Sequence, residues 1–331
     1  MKPGNHPSEP RQSLSGTRVC VTGGAGFIGS HLVDALVSRG ADVGVIDDFS
    51  NGREVNLAAA RSRVRVTAAS ILDDAALDAA LAGAKIVFHL AALGSVPASV
   101  ENPRLYQAVN ADGTVRVLEA ARRHGAKRVV YAASSSAYGA SPALPKIESM
   151  LPDPRSPYAM TKVAGEHSML AWSTCYGIET VSLRYFNIFG PRQRHDSAYA
   201  AVIPCWIRAV RDGAPVDIYG DGGQTRDFTH VANAVHANLC AATTPNRLEG
   251  QVVNIGCGER MSLLELLDEI ERRLGRKAQR RFHPVRAGDV RDSEADIGAA
   301  KRVINYDPIV PFGDGLRMTI DAEAAIAARQ A

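Results

Sequence analysis

The chain has 331 residues, 46% of them hydrophobic, enough for one large α/β domain or two fused ones with a sizeable buried core. Its formal net charge of +3 is small and no basic stripe is interleaved with aromatics, which argues against a nucleic-acid partner. No apolar run is long enough to span a bilayer, and Met1 to Ser15, polar and with three prolines, lacks the apolar core of a signal peptide, so a mobile tail (1–16), no membrane partner and a cytoplasmic protein are expected.

Val19 to Thr22 is a β-branched strand followed by Gly23-Gly-Ala-Gly26-Phe-Ile-Gly29 and then a helical run to Arg39-Gly40. Val43 to Ile46 is the next strand, and it ends in Asp47, eighteen residues past Gly29. Each part has a physical job. Gly23 makes a turn where a side chain would clash. Gly26 lets backbone approach a pyrophosphate, and Gly29 lets the helix pack tightly. The helix starting near Phe27 and Ile28 points free N–H groups and about half a unit of positive charge at that pyrophosphate. Asp47 is placed to bind ribose hydroxyls and to repel a 2′-phosphate, which favours NAD over NADP; Arg53 is a counter-argument, since it could reach such a phosphate.

Asp48 to Gly52, including Asn51, reads as a turn-rich loop before a short helix. Val64 to Thr67 is a third strand, with Ser70 and Ile71 following where an adenine would lie. A short amphipathic helix spans Asp73 to Leu81. Lys85 to Leu90 is a buried strand stopping at Ala91-Ala92, with Ser95 just beyond. A long helix from Leu105 to His124 contains Asn110. The strand Lys127 to Ala133 ends in Ser134-Ser135-Ser136. Another long helix runs from Pro157 to Tyr176, then a strand from Thr180 to Leu183 leads into Phe186-Asn187. This alternation predicts a doubly wound parallel sheet with its ligand at the carboxyl ends of the strands. From Asn187 the texture changes to loop signals, with helices near 200–211, 231–242 and 262–274 among short strands. These predict a smaller cap domain over 187–331, with elements near 228–256 returning to a first domain of 17–186. The five cysteines (Cys20, Cys175, Cys205, Cys240, Cys257) lack metal spacing and read as buried free thiols in a reducing compartment; no metal is expected.

Tyr158-Ala-Met-Thr-Lys162 places a phenol and an ammonium four apart on one helical face. A neighbouring ammonium and an oxidised nicotinamide would stabilise the phenolate, giving a base usable at neutral pH. A hydroxyl at Ser134, on the preceding strand end, can bond the same substrate oxygen.

Together the glycine motif, Ser134, Tyr158 and Lys162 resemble the extended short-chain dehydrogenase/reductase family. Arg184-Tyr-Phe-Asn187-Ile-Phe-Gly190-Pro191, Gly222-Gly-Gln-Thr-Arg226-Asp-Phe228 and Gly288-Asp-Val-Arg-Asp-Ser293-Glu-Ala-Asp296 resemble its nucleotide-sugar branch, and the similarity runs from Thr17 to about Thr319. The resemblance implies an α/β, Rossmann-type sheet with a mixed α/β C-terminal substrate domain, bound NAD, and 4-epimerisation of a UDP-sugar. Tyr158 would take the C4 hydroxyl proton while NAD takes the C4 hydride, and the 4-keto sugar would turn over before the hydride returns. Ser134 would bond O4, and Lys162 would hold the nicotinamide ribose. Cofactor contacts are implied at Gly23, Gly26, Phe27, Ile28, Gly29, Asp47, Asn51, Gly52, Ser70, Ile71, Leu90, Ala91, Ala92, Asn110 and Phe186. Sugar-nucleotide contacts are implied at Ser95, Ser135, Ser136, Asn187, Ala201, Val202, Tyr219, Arg226, Arg286, Asp289 and Ser293. Physically, Arg226 and Arg286 suit a pyrophosphate, and Tyr219 could stack on uracil. Relatives usually carry aspartate where Ser70 stands; its hydroxyl or Asp73 would have to substitute.

Ser135 and Ser136 cannot protonate a leaving hydroxyl, which argues against the dehydrating branches, and the glutamate of decarboxylating relatives is missing from this run. Ser293 stands where a bulky tyrosine closes the pocket of galactose-type relatives and leaves room for an N-acetyl group. Arg192 and Arg194 border the C6 end. A C6 carboxylate needs a forked cation there, so the reading leans to UDP-glucuronate/UDP-galacturonate, with UDP-glucose or UDP-N-acetylglucosamine as alternatives. Which arginine faces the sugar is left open. A catalytically silent NAD sensor or a simple alcohol dehydrogenase are the competing classes. The helices 105–124 and 157–176 match those that form a dimer contact in the family, with Ala164, Met169 and Ala171 expected on the outer face, so a homodimer is expected.

Overall fold

The computed structural model describes residues 13–194, 201–285 and 290–330. The predicted tail and the sites at Arg286 and Asp289 lie outside the described residues.

The chain opens with β1 (Arg18–Thr22), α1 (Phe27–Ser38) and β2 (Asp42–Asp47). It continues through β3 (Val64–Ala68), α2 (Asp74–Leu81), β4 (Ile86–His89) and α3 (Val96–Glu101). Next, α4 (Pro103–Tyr106), a π-helical turn (Gln107–Asp112) and α5 (Gly113–Arg123) run on as one helix, followed by β5 (Arg128–Ser134), α6 (Pro157–Tyr176) and β6 (Glu179–Tyr185). The cap contributes β7 (Ile188–Phe189), α7 (Val202–Asp212), β8 (Val216–Tyr219), β9 (Thr225–Arg226) and β10 (Thr229–His230). Then come α8 (Val231–Thr243), β11 (Glu249–Ile255), β12 (Met261–Ser262), α9 (Leu263–Leu274), β13 (Arg280–His283), α10 (Gly298–Ile304) and α11 (Phe312–Gln330).

Seven strands form the main sheet in the order β11-β6-β5-β4-β1-β2-β3. Every pairing in it is parallel, from Val19 beside Val43 to Ser134 beside Tyr185. The order reverses between β1 and β4, so the crevice opens above the carboxyl ends of those two strands. The sheet's strands are buried on both faces, hence their near-continuous apolar runs. One core packs α1 and α8 on one face, through Leu32, Leu36, Leu239 and Ala241; the other packs α2, α5 and α6 through Leu77, Leu118 and Met169. A separate apolar core, built on Phe189, Trp206, Ile218, Phe228 and Leu267, holds the cap together.

The expected strands and long helices fall within a few residues of their predicted bounds. α3, α10 and α11 were not anticipated. Ser95 and Pro97 signal the start of α3: the serine hydroxyl accepts the Ala98 N–H, and the proline sits in the first turn where its missing N–H costs nothing. Two expectations are corrected. Met169 is fully buried against the sheet and not on the outer face of α6. Cys175 is exposed, and Cys205 and Cys257 are only partly buried. Among the described residues no helix is long and apolar enough to cross a membrane.

Candidate active site

A cleft of about 950 Å³ runs over the carboxyl ends of the sheet strands, from Gly23 and Asp47 at one end to Asn187, Arg194 and Arg226 at the other. At the first end the β1–α1 turn is held by close packing. Gly23 has φ of +69°, and a Cβ there would lie 2.7 Å from the Ala91 nitrogen; a Cβ on Gly29 would lie 2.1 Å from the Gly23 oxygen. Gly29 therefore packs against the turn itself. A Cβ on Gly26 meets only that same oxygen, at 3.1 Å, so protein packing asks less of this position than an incoming phosphate would. No side chain caps α1 and its first turn has no acid, so its N-terminal N–H groups face the cleft beside Phe27 and Ile28.

The Asp47 carboxylate, 7% exposed, accepts N–H groups from Ala25 (2.8 Å) and Phe49 (2.9 Å). Burial raises its pKa, and these N–H groups pull it back. Gly52 is required beside it, since a Cβ would fall 2.6 Å from Asp47 Oδ1. Asn51, Gly52, Ser70, Ile71, Leu90, Ala91 and Ala92 line the same end. The Ser70 hydroxyl accepts the Leu72 N–H, whereas Asp73 is taken up as the cap of α2 and does not line the cleft. Arg53 does not line it either. An uncapped helix end, a glycine cradle and a buried acid 18 residues on form a donor set that fits NAD.

Midway along the cleft sits Tyr158, in the first turn of α6. Its backbone is tied at both ends. The Tyr158 N–H donates to Ser99 Oγ (3.1 Å), and the Ser99 hydroxyl donates to the Val96 carbonyl (2.5 Å). The Tyr158 carbonyl accepts from the Thr161 hydroxyl (2.8 Å), which accepts from Asn110 Nδ2 (3.2 Å). Burial raises the phenol's pKa, and the Ser134 hydroxyl beside it pulls the other way. Ser134 Oγ itself accepts from the Ser136 hydroxyl (2.9 Å) and the Ser136 N–H (3.2 Å), leaving the Ser134 proton to point onward.

Lys162 is 4% exposed; its ammonium donates to the Ala132 carbonyl (2.8 Å) and lies 5.0 Å from the Tyr131 ring centre and 6.0 Å from that of Tyr158. Burial pushes its pKa down to about 8, while Glu166, one turn on, pulls it up. Glu166 is gripped by Arg184 through two bonds of 2.8 and 2.7 Å. Desolvation dominates the phenol in the protein alone, and a bound cationic nicotinamide would add to the Lys162 ammonium in favouring its phenolate.

Asn110 is 1% exposed and off the cleft wall. Its amide is used within the protein: Oδ1 accepts the Leu93 N–H (2.8 Å) and Nδ2 donates to the Leu93 carbonyl (3.0 Å). It positions the loop after β4 and the start of α6 together. A buried neighbour, His89, completes this frame. Thr114 spends its proton on the Asn110 carbonyl (2.6 Å), so His89 Nε2–H donates to Thr114 (2.9 Å) and Nδ1 accepts from Thr22 (2.8 Å). Burial pushes the His89 pKa down to about 3, so the ring is neutral. Phe186 is fully buried against Tyr138 rather than lining the cleft. Val202 begins α7 and Tyr219 stacks on His283 with ring centres 4.9 Å apart; neither lines the cleft. Ser95, Ser134, Ser135, Ser136, Asn187, Arg192, Arg194, Ala201, Arg226 and Ser293 all line it. Sequence reasoning missed Ser99, Tyr106 and His89, whose contacts join separate elements, and Gln193, which bonds Ile188 within its own loop.

A family model described as the NAD dependent epimerase/dehydratase family matches residues 19–256. The chain belongs to this family. It is an NAD-dependent enzyme of the isomerase class. It is 39% identical over 309 residues to a UDP-glucose 4-epimerase of Mycolicibacterium smegmatis, covering 92% of this chain and 97% of the relative. Among solved structures it is similar to the UDP-N-acetylglucosamine 4-epimerase of Methanobrevibacter ruminantium M1 in complex with UDP-N-acetylmuramic acid (TM-score 0.90, 37% identity, 94% of this chain and 99% of that one). It is also similar to the UDP-glucuronic acid 4-epimerase of Bacillus cereus in complex with UDP-glucuronic acid and NAD (TM-score 0.87, 32% identity, 94% and 100%).

Proposed function

We propose that this chain is an NAD-dependent 4-epimerase of a UDP-hexose and that its sugar is a uronate, interconverting UDP-glucuronate and UDP-galacturonate. One observation carries the choice of sugar. Among the described residues lining the cleft, the acids are Asp47 and Asp48, both at the cofactor end; the opposite end presents Arg192, Arg194 and Arg226 with the hydroxyls of Ser135 and Ser136. Among the described lining residues, a C6 carboxylate meets cations and donors there and no carboxylate. A charged hydrogen bond of this kind contributes roughly 1.5–3 kcal/mol.

In this reading Tyr158 removes the proton of the C4 hydroxyl and Ser134 donates to O4. The Lys162 ammonium offsets charge at the phenolate. Bound NAD supplies hydride acceptance at C4 and its return. Asp47, Asn51 and the α1 N-terminus hold the cofactor, and Arg226 meets the substrate pyrophosphate. A second reading, an N-acetylhexosamine substrate, is favoured by Ser293, a small residue on the cleft wall. The test is incubation with UDP-glucuronate, UDP-glucose and UDP-N-acetylglucosamine in turn, with the epimers resolved by NMR, for wild type and Arg194→Ala. Selective loss of uronate turnover, roughly 10- to 100-fold, is expected in the variant. Equal loss on UDP-glucose would remove the carboxylate role.

A further inference from the structure

The loop after β7 carries residues that border the sugar end of the cleft, and two residues of that loop have unusual backbone. Gly190 has φ of +154°, with space for no side chain: a Cβ would lie 2.6 Å from Val231 Cγ1. Arg192 has φ of +68°, a left-handed conformation that a non-glycine residue keeps only where its surroundings impose it. What imposes it comes from the cofactor helix. His31 and Asp34 lie three apart on one face of α1. The His31 ring nitrogen Nε2 bonds the Pro191 carbonyl (2.9 Å), which makes that nitrogen the donor. Arg192 Nη2 donates to Asp34 Oδ2 (2.7 Å), with both side chains about two-thirds buried at 27% and 31% exposure. Gln193 closes the other side by donating to the Ile188 carbonyl (3.0 Å).

We propose that Arg192 is a positioning residue: its pairing with Asp34, beside the His31–Pro191 bond, staples the sugar-side loop to the helix whose N-terminus faces the dinucleotide, and so presents Arg194 to the sugar. The inference rests on the reading that this loop borders the sugar, and it answers which arginine turns inward. The guanidinium fork is directed at α1. One of its nitrogens, Nη1, is buried with no hydrogen-bond partner among the described residues, so the test has to separate a staple from a sugar ligand.

The experiment measures kcat and KM of the NAD-loaded enzyme with UDP-glucose and UDP-glucuronate for Asp34→Asn, Arg192→Ala and the double variant, with bound NAD quantified in each. A staple predicts the same phenotype from either end: KM raised about five- to tenfold for both sugars, kcat within about twofold, NAD retained, and a double variant no worse than the singles because one interaction is lost once. Two results overturn the proposal. One is Asp34→Asn with an unchanged KM. The other is Arg192→Ala losing only uronate turnover, which makes Arg192 a carboxylate ligand. If wild type does not turn over UDP-glucuronate at all, the uronate reading fails, while the staple is still read on UDP-glucose.

Discussion

Replacing Glu166 by glutamine removes one negative charge from a buried cluster without changing its shape. Glu166 and Arg184 have side-chain exposures of 4% and 3% and share two charged hydrogen bonds, and Lys162 lies one helical turn away on α6. Breaking such a pair by neutralising one partner leaves an uncompensated buried cation and costs about 3–5 kcal/mol; the glutamine carbonyl can still accept one bond from Arg184, so the lower end applies. Each kcal/mol moves Tm by roughly 2–4 °C in chains of 150–250 residues and by less in a longer one, so a drop of about 5–10 °C is expected. Activity gives a second readout. Burial already pushes Lys162 down to about 8 and Glu166 opposes that. Without Glu166 the lysine pKa falls further. A protonated ammonium is needed to support the phenolate, and that support is present below the lysine pKa and lost as pH rises through it. The alkaline limb of the kcat–pH profile is therefore expected at lower pH in Glu166→Gln than in wild type. The assays are a thermal melt and a coupled epimerase rate measured from pH 6 to 10. An unchanged melting temperature together with an unmoved alkaline limb would refute the reasoning.

Tyr158→Phe is expected to lower turnover by about a thousandfold or more while NAD stays bound, measured by NMR epimer ratio and released cofactor; a near-normal rate removes Tyr158 as the base. Ser99→Ala strands the Tyr158 N–H in a buried site at a cost of roughly 1–3 kcal/mol. Its expected effect is a kcat several-fold lower with KM nearly unchanged and Tm down by a few degrees; a Tm loss with kcat intact would make Ser99 purely a folding residue.

Much of the frame was legible because its signals are local. A β-branched run, a glycine turn, a helix and an acid each follow from residues next to one another, and Tyr158 and Lys162 share a face by spacing alone. What escaped depends on contacts between distant segments. Ser99 meets the Tyr158 N–H from 59 positions away. Nothing in a motif says whether a side chain faces the ligand or packs behind the wall; Asn110 and Phe186 are both buried off the cleft wall. Spacing announces the ammonium but not how much water the fold removes from the phenol.

The seventh strand has a consequence for how the chain is made. β11 caps β6, but it is translated only after the whole of α7, the short cap strands and α8. Until it emerges, a nascent chain carries β6 with a bare row of amides and carbonyls, and α6, with the tyrosine in its first turn, has β5 and β6 beneath it but lacks β11, which it also packs on. A product cut short before Glu249 is left with a sticky strand edge, open to pairing with its neighbours on the polysome.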